Sequence, residues 1–314
     1  MISFRYHVFT IVAIFLAVAL GIAVGNAYVQ PALVRQLQNQ TDDLRNRVRD
    51  LESQLTDSQG QYGRLLRGSD VLGVMDRGQL AGMPVIVVTE DGVDRDALTQ
   101  ARDALDAAKA TVVAGLSITG RVSETDRTTH ADLTDILGLA PSASAGDVIA
   151  GLAETLARRL VAGPPRRGAQ PSANDLLDEL LRGQYLGFPA GFPNVGEGDL
   201  SDLGGRGELI VAVTGGEEPL ALSPSSFMVP FVRAAIAEGA RVAAAEPSAT
   251  SEAFVETLRG TSDLDAAPLV TVDDAEFPIG GAALVLGLER LVTIGEGGDY
   301  GIKDGAEAPI PPIP

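Results

Sequence analysis

LIVAVTGGEEP, residues 209–219, is the stretch whose reading decides the fold. Five apolar residues without polar alternation describe a strand covered on both faces, as in parallel sheets, rather than one with a wet side. The Thr-Gly-Gly turn after it leads to a helical pattern at Ser226–Ala237. Outward from there the alternation repeats: strand Val242–Ala245, helix Ser248–Leu258, strand Leu269–Val272, helix Gly281–Arg290. Upstream, the strands Val85–Val88 and Thr111–Ala114 flank a helix at Asp94–Ala108, a β-α-β unit of about 30 residues. Between the two portions lie helical patterns at His130–Leu137, Asp147–Val161 (Val148, Leu152, Leu156 and Leu160 on one side) and Asn174–Leu181. Linker-like stretches interrupt them at 163–171 and 183–207, rich in glycine and proline. Residues 83–300 are therefore expected to form a Rossmann-like α/β domain with a mainly parallel sheet. The tail 301–314 ends in PIPPIP, which cannot be helical and is expected to lie extended.

The amino-terminal end is of another kind. HVFTIVAIFLAVALGIAVGN, residues 7–26, is uncharged after its histidine and long enough to cross a bilayer core of roughly 30 Å. Small residues at Ala23, Gly25 and Ala27 also suit a cleaved secretion signal. The neighbouring segment, residues 31–67, favours retention. There Val34, Thr41, Val48, Leu55 and Tyr62 repeat every seven positions. Leu37, Leu44, Leu51 and Leu65 form a second seam, broken at Ser58. Two seams over four heptads predict a coiled-coil stalk, about 50 Å long at 1.5 Å per residue, with Pro31 at its start. An amphipathic helix folded onto the globular part is the competing reading. A stalk needs an anchor, so residues 1–30 are read as a retained membrane helix. Arg5 lies closer to the span than Arg35 and the Arg45, Arg47, Arg49 group, which puts the N-terminus in the cytoplasm and the main domain outside. Ala17, Gly21 and Gly25 share one face of the span and permit close helix packing. A homodimer or a heteromeric coiled coil is expected.

Composition excludes several functions. The formal net charge of −18 over 314 residues disfavours nucleic acid, whose phosphates need basic partners. There is no cysteine, so neither disulfides nor thiolate chemistry enter. Of the two histidines, His7 sits at the membrane edge and His130 in a helix, with no G-x-S-x-G turn to supply a nucleophile. A nucleotide would want G-x-G-x-x-G between strand and helix; instead Gly215-Gly216 precedes Glu217-Glu218, which repel a pyrophosphate. No cofactor and no enzyme activity are expected. The loops after the strands are acidic: Glu90-Asp91, Glu217-Glu218 and Asp273-Asp274. They are candidates for a hard cation, or simply acids at helix N-termini, where the dipole favours them. Tyr185, Phe188 and Phe192 either pin the 183–207 stretch to the core or present a partner-binding patch.

MISFRYHVFTIVAIFLAVALGIAVGN at 1–26, the heptads behind it and TVDDAEFPIGGAALVLGLERL at 271–291 together resemble the actinobacterial family named for the copper transport protein MctB, in which the corynebacterial division protein SteB also falls. The resemblance implies two different roles. One is copper export with an outer-membrane channel. The other is a single-pass envelope protein that works with a SteA-like membrane-associated partner and influences a peptidoglycan hydrolase. Cu(I) wants thiolate, thioether or imidazole, whereas Met75, Met83 and Met228 form no M-x-x-M cluster. A barrel pore needs repeated alternating strands, and the strands here are short, apolar and separated by helices. The expected function is accordingly a membrane-anchored cell-envelope scaffold in cell division, with copper transport or tolerance as the alternative. A hydrolase or lectin-like binder using the acidic loops is a third reading.

Overall fold

The structure, a computed structural model, describes residues 6–25, 78–124, 126–164, 175–192, 200–264 and 267–312. The chain divides into two units, residues 1–67 and 68–314. Within the first, the described part is helix α1 (Tyr6–Gly25), 20 residues with a mean hydropathy of 2.7 in its most apolar window and no buried side chain. Its length and composition suit a membrane span, and equally a secretion signal. The Thr10 hydroxyl is satisfied within the helix by donating to the Tyr6 carbonyl at 2.8 Å. The expected stalk, with Val34, Leu37, Leu44, Val48, Leu51, Leu55 and Tyr62, lies outside the described residues.

The second unit is a mixed α/β domain. Strands β1 (Pro84–Glu90), β2 (Thr111–Ile118), β3 (Leu186–Gly187), β4 (Leu209–Val213), β5 (Val242–Ala245), β6 (Leu269–Val272) and β7 (Gly298–Tyr300) form one sheet in the order β3-β2-β1-β4-β5-β6-β7. All neighbours pair parallel except the two-residue β3, which joins β2 antiparallel. The chain moves outward from β1 in one direction, returns beside β1 at β4, and moves outward in the other. That reversal makes β1/β4 the topological switch point of a doubly wound sheet.

Helices α2 (Arg95–Ala107), α3 (Arg127–Leu137), α4 (Ala145–Ala162), α5 (Leu176–Arg182), α6 (Met228–Ala237), α7 (Phe254–Arg259) and α8 (Pro278–Thr293) cover the sheet. Ile86, Val88, Ile210, Ala212 and Ala244 pack under α4, α6 and α7, whereas Val85, Val87, Val211, Ala243 and Val270 pack under α2 and α8. Side chains that alternate between two cores are the expected consequence of a period of two in a sheet buried on both faces.

The helix starts follow capping chemistry. Asp94 accepts from the Ala97 N–H at 2.8 Å, and Ser144 and Asp147 form a reciprocal capping box before α4. The sequence places a helix at Ser248–Leu258, but α7 begins only at Phe254. The reason lies in the preceding strand: the buried Glu246 carboxylate accepts from the Phe254 and Val255 N–H groups at 2.8 and 3.0 Å, so the first turn forms where that cap is. Strand β2 runs to Ile118, past the expected Ala114, while β3 and β7 are too short to register as sequence patterns. The 301–312 stretch is not simply extended. It folds back along β7, with Glu307 N–H donating to the Asp299 carbonyl at 2.8 Å and Gly301 N–H to Ala308 at 3.0 Å, which covers the sheet edge.

Candidate functional site

Ligands of doubly wound sheets bind beyond the carboxyl ends of the strands. Register places one row of residues there. Thr89 pairs with Val213, Val213 with Ala245, and Ala245 with Val272, so the next residues, Glu90, Thr214, Glu246 and Asp273, align across four strands on the face covered by α6 and α7. All four are buried, at 1% exposure or less. Three buried carboxyl groups in one row must each be neutralised, because an unpaired charge in such a place is expensive.

Asp273 is neutralised by Arg259 at the end of α7, 2.7 Å away and itself only 7% exposed. The guanidinium also donates to Thr271 Oγ1 at 2.9 Å and to the Tyr300 carbonyl at 2.9 Å. The other Asp273 oxygen accepts from the backbone of Ile302 and Lys303 at 2.6 and 3.0 Å. Glu246 receives Lys303 Nζ at 2.8 Å, and that ammonium also reaches the Pro247 carbonyl at 2.9 Å. A strap of residues 301–303 thus closes the β5–β6 end of the row.

Glu90 has no basic partner among the described residues. One oxygen accepts the Thr214 hydroxyl, and the other has no hydrogen-bond partner. Burial, partly offset by the Thr214 bond and reinforced by the charge of Glu252, pushes its carboxyl up to about 7. A proton does here what Lys303 and Arg259 do two and three strands away, respectively. The crevice above is filled by the chain itself. Leu220 packs on Gly92 and Ala221 on Gly120, while Gly215 and Gly216 lie against the 92–94 turn, with Asp94 N–H donating to the Gly215 carbonyl at 2.9 Å.

The acids singled out in the sequence separate. Glu217 and Glu218 are exposed on the loop after β4. Asp273 is held in the ion pair described above. Asp274 is fully buried, and neither of its carboxyl oxygens has a hydrogen-bond partner. Burial first, then the charges of Asp273 and Glu276, raise it to about 7. It lies beside Gly280 in the first turn of α8, where a Cβ would overlap the Asp274 carbonyl oxygen. Among the described residues no group of three or more His, Cys, Asp or Glu side chains is placed to hold a metal ion. Within the TVDDAEFPIGGAALVLGLERL motif, Asp273 anchors the strap, and Gly280, Gly281 and Gly287 let α8 approach Asp274, Gln100 and Val270.

Of the aromatic residues of the 183–192 stretch, Tyr185 and Phe192 turn inward. Tyr185 is fully buried and donates to Asp132 at 2.8 Å, with Arg121 over its ring at 5.3 Å. Phe192 is 7% exposed against Gly115, and Phe188 is half-buried against the core. A two-residue strand cannot hold a long connection by backbone alone, so these rings supply the missing apolar contact. Sequence reasoning missed Glu90 as a singular residue, Thr214, and the pairing of Lys303 with Glu246. Lys303, one of only two lysines in the chain, was the available signal.

A second concavity, of about 670 Å³, lies beside β6 and β7 at the end of α7, with Arg259, Thr271, Asp299 and Arg290 among its lining. Arg259 and Thr271 are already committed to Asp273 and Asp299 respectively.

A family model described as copper transport outer membrane protein, MctB, matches residues 1–311. A protein named copper transporter MctB from Mycobacterium leprae is 28% identical over 331 residues, covering 98% of each chain. Proteins of the same name from Mycobacterium bovis and Mycobacterium tuberculosis are 26% identical over 333 residues, again over 98% of each chain. Matched from its apolar first helix through the strap that closes its sheet, the chain belongs to the MctB family.

Proposed function

We propose that this chain serves the copper-transport process for which its family is named, as a single-pass envelope protein that binds a protein partner rather than conducting the ion. The observation that carries this reading is the full-length likeness to relatives named copper transporter, which takes in the apolar helix and the head alike. On this reading α1 crosses the cell membrane with its N-terminus in the cytoplasm, and residues 31–67 join copies, or this chain and another, through their heptads. The indirect role rests on donor chemistry. A chain with no cysteine, two histidines and four methionines is poorly supplied with soft ligands for Cu(I). The head acts by binding, without catalysis, a view supported by a switch-point crevice filled by its own loop.

The same shortage of soft donors favours a second reading, an envelope scaffold in cell division that influences peptidoglycan hydrolysis. Cells lacking the protein, grown with and without added copper, separate the two. Copper-dependent growth arrest with raised cell copper and normal septa supports the transport reading. Elongated or misdivided cells at ordinary copper, with unchanged cell copper, overturn it in favour of the scaffold.

A further inference from the structure

We infer that residues 214–223 form a lid over the β1–β4 crevice, latched by the Glu90 carboxyl while that group holds its proton and released when it ionises. The lid is fastened at its two ends and lightly between them. At one end the Gly215 and Gly216 carbonyls accept from Asp94 N–H at 2.9 Å and Ser251 N–H at 2.8 Å. At the other, Ser223 Oγ donates to Glu252 at 2.6 Å. From Glu217 to Leu222 no hydrogen bond holds the loop among the described residues; Leu220 and Ala221 rest on Gly92 and Gly120, and Leu222 is buried. Gly215, at φ +100°, supplies a backbone conformation that side-chain-bearing residues rarely adopt, at the place where such a loop would turn.

The groups around Glu90 decide what ionisation does. Thr214, the first residue of the lid, donates to it, and Glu252 from the β5–α7 connection repels it. Asp91, next along the chain, is turned to Ser117 Oγ at 2.9 Å, and Asp94 to the Ala97 N–H. Glu246, in the same row, is matched by Lys303. Glu217 and Glu218 ride on the lid itself. Among the described residues a charge created at Glu90 therefore meets acids and no unmatched base, and its unpartnered oxygen demands water that the closed crevice does not admit. Lifting the lid supplies that water and opens the switch point. Burial holds the Glu90 proton to about pH 7, so the change falls near neutrality.

Hydrogen exchange of the full-length chain in detergent, at about pH 6 and about pH 8.5 and corrected for the intrinsic rate, tests this directly. Protection of peptides within 214–223 should fall about tenfold on going to the higher pH, because a carboxyl held up to about 7 in the closed form and ordinary in the open form gives that ratio. Glu90→Gln, which keeps the protonated form's shape, should hold the protection at both pH values, and Glu252→Gln should shrink the pH effect. Peptides from β5 and β6 serve as the internal reference. Equal protection of the lid at both pH values in the natural protein overturns the proposal, as does an undiminished pH effect in Glu90→Gln. If Glu90→Gln fails to fold, Glu252→Gln decides alone, and an unchanged pH effect there counts against the latch.

Discussion

The two ends of one row of carboxyl groups make an instructive contrast. At the β5–β6 end, Glu246 and Asp273 are ion-paired with Lys303 and Arg259, and the same contacts tie down residues 301–303. At the β1–β4 end, Glu90 is neutral below about pH 7 and holds only a threonine hydroxyl. The same chemical group in the same register position is thus built as a permanent fastening at one end and as a conditional one at the other. The difference arises from which helix ends and which tail reach each strand, and not from the strands themselves.

The sharpest way to break the contrast is Arg259→Leu. Removing the cation leaves Asp273 buried without a partner, which should cost roughly 3–5 kcal/mol in chemical denaturation followed by far-UV circular dichroism. A cost near zero would show that the pair is dispensable and that the two ends do not differ in kind. Next comes Glu90→Gln. A carboxyl raised in the folded state from 4.5 to about 7 binds more protons folded than unfolded between those values. Its favourable contribution is complete below about pH 4.5 and is lost as pH rises to about 7. Glu90→Gln should therefore stabilise the head by roughly 2–3 kcal/mol at pH 8 and by little at pH 4, in denaturation curves at the two pH values. Asp274→Asn should behave in the same direction, since Asp274 is also held up to about 7. Lys303→Met comes third. The Lys303 side chain is 27% exposed, so water compensates part of the loss. A cost of about 1–2 kcal/mol is expected, with faster hydrogen exchange confined to residues 301–308. The smallest effect belongs to Tyr185→Phe, which removes the hydroxyl donated to Asp132 and leaves the ring in place, at about 1 kcal/mol and with no pH dependence between pH 5 and about 8.

Much of this architecture was legible in the residues. Continuous apolar runs such as LIVAV and VAAA read as buried parallel strands, and the structure places them in the centre of the sheet. The long amphipathic helix at Asp147–Val161 was equally plain, since Val148, Leu152, Leu156 and Leu160 all lie in the core. The features that escaped were short or conditional. β3 has two residues and β7 three, fewer than a pattern of period two needs to declare itself. The late start of α7 depends on Glu246, a residue of another element, so nothing local could reveal it. The acidic loops were visible as a group, but their members have different fates. Glu217 is exposed, Asp273 is paired and Asp274 is buried without a partner; burial and partner choice are long-range quantities.

By itself, the sequence determined the class of the fold, the apolar first helix, the absence of thiols and the acidity of the strand ends, because each of these follows from residue type and from spacings within one element. Only the tertiary structure decided that Glu90, Thr214, Glu246 and Asp273 share a row, that Arg259 and Lys303 reach two of the three acids, and that the loop after β4 closes over the third. Those outcomes depend on register between strands up to 183 residues apart in the chain, from Glu90 to Asp273, and on the low polarity that their burial creates, which no local pattern encodes.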